Sequence, residues 1–166
     1  MRYEGKSWEK TASGTTVTLN AIWGSSASDI YAAGDRGTLL HFDGAAWSAV
    51  SAGVDAQIGL KDIWGSGPRD VWVVGEQGTL LHFDGNKWQP GGYKTAGTLY
   101  TVSGSGPKDV YVTNGRGEVL YFNGKKWALL PTAKNVSLTA VWASAPGEVW
   151  LAGSDAAIVH LQSATK

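Results

Sequence analysis

Short apolar runs alternate with clusters of turn residues along the whole chain, and the same order of runs returns about every forty residues. From Leu19 the chain reads LNAIWGSSASDIYAAGDRGTLLHFDGAAW, from Leu60 LKDIWGSGPRDVWVVGEQGTLLHFDGNKW, and from Leu99 LYTVSGSGPKDVYVTNGRGEVLYFNGKKW. A fourth copy, LTAVWASAPGEVWLAGSDAAIVHLQ from Leu138, stops before the final turn and tryptophan. In the first copy the pattern predicts strands over 19–24, 29–34 and 38–42 and a fourth beginning near Trp47, each rich in β-branched or aromatic residues. Turn signals separate them: Gly67-Pro68 and Gly106-Pro107, Asp35-Arg36-Gly37, and the pairs Asp43-Gly44, Asp84-Gly85 and Asn123-Gly124. No stretch carries a helical period.

Each copy therefore reads as an antiparallel meander. Runs such as Val71-Trp72-Val73-Val74 are apolar on both faces of a strand, so each small sheet must pack between neighbours. A unit of this length with four strands, stacked face to face, predicts an all-β propeller blade. The blades are expected over residues 19–57, 60–97, 99–137 and 138–162, in a single domain. The segment RYEGKSW at 2–8 matches HFDGAAW at 41–47, so residues 1–12 are expected to complete the last blade and close the ring. Two closures fit. Trp8 completes the last blade of its own chain in a four-bladed monomer, or that of a partner in a homodimer whose eight blades form one twofold ring. Bulky residues on the first strand of each copy, among them Leu19, Trp23, Leu60, Trp64, Leu138 and Trp142, crowd the axis of a four-bladed ring and favour the dimer.

The 166 residues are 43% hydrophobic and 17% charged, which suits a folded globular chain rather than a disordered one. Fourteen basic side chains balance 14 acidic ones, which leaves no electrostatic footprint for nucleic acid. No apolar run is long enough to span a bilayer, and the polar opening from Met1 to Lys10 lacks the core of a signal peptide, so the chain as it stands is expected to be soluble. The compartment stays open, since the absence of cysteine excludes disulfides and thiolate metal sites without fixing a location. Twenty-three glycines and nine tryptophans fit many short turns and small sheets that need large buried side chains.

The string DxxxxGxxGTLLHFDGxxW, in which an Asp-Gly turn feeds a tryptophan, resembles the repeats of bacterial β-propellers of the BNR or Asp-box-like kind. The Trp-Gly of the first strand is similar to tachylectin-type lectin propellers. The turns HFDGAAW and HFDGNKW lack the Ser or Thr and the spacing of a full Asp-box. What this resemblance implies is blade architecture and, through the lectin likeness, carbohydrate as a ligand class.

Candidate binding residues follow from recurrence. Trp23, Trp64 and Trp142 share one register, with Ser103 in the third copy, and have Ser25, Ser66 and Ser144 as polar neighbours. They could present ring faces to sugars, or they could be inter-blade core. Tyr31, Trp72, Tyr111 and Trp150 form a second ladder that reads as packing, and Trp8, Trp47, Trp88 and Trp127 read as staples of the outermost strand. His41, His82 and His160 share a position, held by Tyr121 in the third copy, where a hydrogen bond within each blade or a polar ligand contact fits better than a shared metal. Asp29, Asp70, Asp109 and Glu148 open the second strands, where an acid can accept backbone N–H bonds and fix the turn. The chain carries no nucleophile elbow, zinc motif or phosphate loop, and Arg2, Arg36, Arg69 and Arg116 are too scattered to grip a carboxylate as in a sialidase. No enzyme, cofactor or metal is expected. The expectation is a binding module for glycan or protein, with an assembly scaffold, or half of a larger propeller, as the alternatives.

Overall fold

The computed structural model describes residues 2–3, 8–131 and 136–162. Its strands are β1 (Arg2–Tyr3), β2 (Trp8–Glu9), β3 (Leu19–Ser26), β4 (Asp29–Gly34), β5 (Leu39–Phe42), β6 (Trp47–Ala49), β7 (Leu60–Gly67), β8 (Asp70–Gly75), β9 (Leu80–Phe83), β10 (Trp88–Pro90), β11 (Leu99–Gly106), β12 (Asp109–Asn114), β13 (Val119–Phe122), β14 (Trp127–Leu130), β15 (Leu138–Ala145), β16 (Glu148–Gly153) and β17 (Ile158–Gln162). They form three four-stranded antiparallel sheets, β3 to β6, β7 to β10 and β11 to β14, and a three-stranded sheet of β15 to β17. These are the four blades that the repeats predict. Among the described residues no helix is long and apolar enough to cross a membrane.

Local chemistry sets the strand ends. In the Asp-Gly turn of blade 1, Asp43 Oδ1 accepts the backbone N–H of Ala45 and Ala46, both at 2.9 Å, and Gly44 takes φ of 96°. Asp84 and Asn123 make the same pair of bonds in blades 2 and 3, ahead of glycines whose left-handed φ another residue would adopt at a cost. The turn returns the chain in register, so Phe42 faces Trp47, Phe83 faces Trp88 and Phe122 faces Trp127.

Three apolar layers hold the blades together. Tyr31, Ala33 and Leu39 of blade 1 pack on Leu60, Ile63, Val71 and Val73 of blade 2. Trp72, Val74 and Leu80 of blade 2 pack on Leu99, Val102, Val110 and Val112 of blade 3, and Tyr111 and Val119 meet Leu138, Val149 and Leu151 of blade 4. Each second strand thus spends one face on the blade before and the other on the blade after, as its two-sided apolar pattern requires. Polar seams accompany the layers. Asn20 Nδ2 donates to the Leu60 carbonyl at 2.8 Å, Asp62 accepts from Thr101 Oγ1 and from the Val102 N–H, and Thr113 Oγ1 donates to the Leu138 carbonyl.

Among the described residues, closure by the opening segment is not formed. β1 pairs with β2, Tyr3 opposite Trp8 as Phe42 is opposite Trp47, and no fourth strand among the described residues lies on β17. The repeat match was correct as far as the hairpin. The hairpin is a local contact, whereas joining it to β17 means closing a loop of most of the chain. The part of the expected match at residues 4–7, and the side chain of Trp8, lie outside the described residues. β7 packs on β3, β11 on β7 and β15 on β11, while nothing comparable joins β15 to β3. Within one chain the blades make an open fan.

Candidate functional site

At the turn between the first and second strands of each blade, the leading acid gathers side chains. In blade 1 the Ser25 hydroxyl donates to Asp29, and His41 Nε2 lies 2.7 Å from Asp29 Oδ1 with its ring stacked on Tyr31 at 4.4 Å. Blade 2 repeats this with Ser66 at 2.5 Å and His82 at 2.6 Å from Asp70, the imidazole stacked 4.0 Å from the Trp72 indole. In blade 3 Tyr121 replaces the histidine, and Tyr111 Oη donates to Asp109 at 2.9 Å beside Ser105. In blade 4 His160 lies 3.0 Å from Glu148 and 4.0 Å from Trp150.

The acids accept side-chain donors here, where the sequence suggested backbone N–H groups, and they draw in the three histidines and, of the serines proposed as ligand contacts, Ser25 and Ser66, while Glu148 takes Gln162 in place of Ser144. Burial pushes Asp70 up, but the bonds from His82 and Ser66 outweigh it and hold the carboxyl below its ordinary range. Burial, then the bond to Asp109, pushes the Tyr111 phenol well up. Serine and histidine share one carboxylate in blades 1 and 2. A nucleophilic relay needs the histidine between serine and acid, so this order of bonds fastens three strands together without activating the hydroxyl. Among the described residues no cluster of His, Asp and Glu is arranged to hold a metal ion.

The tryptophans of the first strands have a common partner. A Cβ on Gly65 would stand 2.7 Å from Trp23 Cη2, and one on Gly104 would stand 2.6 Å from Trp64 Cη2. Each indole of blades 1 and 2 therefore lies against a bare backbone position on the next blade. In blade 3 both members of the pair change together: Ser103 stands where the indole would be, Ala143 replaces the glycine, and the Ala143 N–H points to Ser103 Oγ at 3.4 Å. Trp142 has no following blade and is 60% exposed. Of the three proposed sugar platforms, Trp23 and Trp64 lie half-buried in inter-blade seams and Trp142 is the one with an open ring.

At the opposite end of the strands a polar groove of about 630 Å³ runs between blades 1 and 2, lined by Asp35, Arg36, Gln57, Gly59, Lys61 and Glu76. Lys61 Nζ lies 2.7 Å from Glu76 Oε1 and 3.9 Å from Asp35, and Glu76 also accepts the Gly59 N–H. These two donors hold Glu76 below its ordinary pKa, and Glu76 in turn raises Lys61. One blade on, the same position forms a hollow of about 150 Å³ with Tyr100 and Arg116 on its walls. The second residue of each first strand and the turn between second and third strands supply both sites. Sequence reading passed over these sites, although Asp35 and Glu76, and Arg36 and Arg116, recur at fixed repeat positions.

No protein-family model matches the chain, and none of the curated proteins matches it. Solved structures do. YCF48 bound to D1 peptide aligns with a TM-score of 0.70 at 20% identity, over 92% of this chain and 53% of that one. YCF48 from Cyanidioschyzon merolae aligns at 0.68 and 18%, over 84% and 51%. A Polycomb Repressive Complex 2 structure, a humanized mutant of the Chaetomium thermophilum complex bound to the inhibitor GSK126, aligns at 0.69 and 11%, over 92% and 40%. These likenesses establish the β-propeller fold. The chain spans about half the length of the YCF48 chains it matches.

Proposed function

We propose that this chain is a non-catalytic scaffold that binds a protein segment across the blade ends carrying Arg36, Lys61, Glu76, Tyr100 and Arg116. The observation that carries this reading is the row itself: charged and aromatic side chains at corresponding positions of successive blades, lining a polar groove of about 630 Å³ and a smaller hollow one blade on. A half-exposed pair such as Lys61 with Glu76 contributes little to folding, so a bound segment can engage its charges at little cost to the fold. The YCF48 structure with a bound peptide supports a peptide-binding use of this architecture. Arg and Tyr are also the residue types that dominate binding energy at interfaces.

A displayed random-peptide library panned on the chain tests the proposal. Selected peptides should lose binding, by about tenfold or more, to the double variant Lys61→Ala/Arg116→Ala. The same variant should unfold within about 1 kcal/mol of wild type, since the groove is not part of the core. Peptides that bind both proteins equally would end this reading. A lectin use, carried by the open Trp142 ring beside Trp150, is the second reading, and a glycan array that lights up and goes dark with Trp142→Ser would favour it over the first.

A further inference from the structure

Two of the three internal blade junctions use one pattern, an indole on the first strand of one blade against a glycine one position further along the first strand of the next, and the third places two small residues at the same two positions. The pairs are Trp23 on Gly65, Trp64 on Gly104 and, with both residues exchanged, Ser103 on Ala143. The fan's two outer faces keep the unmatched halves. Gly24, at the glycine position of blade 1, has only its own blade around it, the nearest neighbours of an added Cβ being the Asp29 carbonyl and Ile30. Trp142, at the indole position of blade 4, projects into solvent.

The remainder of each face agrees. On blade 1, Ile22, Ile30, Ala32, Phe42 and Trp47 line a hollow of about 640 Å³, rimmed by Thr11 and Ser13, where their blade 2 counterparts Ile63, Val71, Val73, Phe83 and Trp88 pack on blade 1. On blade 4, Trp150 is 43% and Ile158 is 73% exposed, whereas Trp72 and Leu80 at the same positions of blade 2 are buried. Apolar faces of this extent on a soluble surface mark an interface.

We propose that a second copy of this chain covers both faces, the last blade of each copy docking on the first blade of the other with Trp142 seated over the partner's Gly24. The occupant is a second copy because the two faces are the two halves of the junction that already repeats inside the chain. Either half finds its complement on another molecule of the same sequence. Two identical junctions of this head-to-tail kind close a twofold ring of eight blades, within the range that propellers adopt.

Light scattering on the full chain across a dilution series, compared with Ile22→Asp and Trp142→Asp, tests this. Both side chains are exposed in the single chain, so circular dichroism should match wild type in each variant. Wild type should show twice 17.5 kDa, and each variant alone 17.5 kDa. An equimolar mixture of the variants should regain the doubled mass, since the intact blade 4 face of one meets the intact blade 1 face of the other. A wild-type mass of 17.5 kDa throughout, a mass above two copies, variants that keep the doubled mass, or a mixture that stays monomeric each overturns the proposal.

Discussion

At the scale of single residues, two half-buried carboxylates respond to pH in opposite directions. Asp70 is held below its ordinary pKa by His82 and Ser66, so its stabilisation is present above the ordinary carboxylate range and is lost as pH falls through the lowered value. Asp70→Ala leaves both donors without their acceptor and should cost about 1–3 kcal/mol in urea unfolding at neutral pH, with the difference shrinking in acid. Asp62 is the reverse. Burial raises it despite bonds from Val102 and Thr101, so its contribution is complete below the ordinary value and is lost as pH rises through the raised one. Asp62→Asn should remove that decline, and unfolding midpoints of the variant across mildly acidic to neutral pH should be flatter than those of wild type.

At the scale of elements, the turn chemistry was legible and the seams were not. The second strand of blade 1 falls at 29–34 as predicted, and the first runs two residues beyond the predicted 19–24, because the ladder continues past a bulge at Ser25 to pair Ser26 with Asp29. Asp-Gly pairs, glycine spacing and two-sided apolar strands are local signals. Which blade face an indole meets is a contact one repeat away, and the position of the Ser–Asp–His groups shows only when three strands are laid side by side. A trace of the seam was present in the sequence all the same, since Ser103 and Ala143 change together where Trp and Gly stand elsewhere. A double-mutant cycle measures that seam. Gly104→Ala alone should destabilise by about 1–3 kcal/mol because its methyl meets Trp64 and the Asp109 carbonyl. In a Trp64→Ser background part of that cost should vanish, giving a coupling of about 1 kcal/mol or more by chemical denaturation.

At the scale of the molecule, identical positions differ only in whether another blade follows. Trp72 and Trp150 both open onto the face toward the next blade and both stack on a histidine, yet Trp72 is 1% exposed and Trp150 43%. Trp72→Ala should therefore cost about 3–5 kcal/mol, and Trp150→Ala far less in a chain kept single by Ile22→Asp. The opening hairpin belongs to this scale too: its repeat identity could be read from the sequence, but its docking could not, because a closure spanning the chain leaves no local mark. The stacking order is tested most directly by mild oxidation of the Ile22→Asp chain, with peptide mapping of each indole. Trp142 and Trp150 should oxidise early and Trp72 only on unfolding, whereas a Trp72 that reacts as fast as Trp150 would contradict the fan of successive blades.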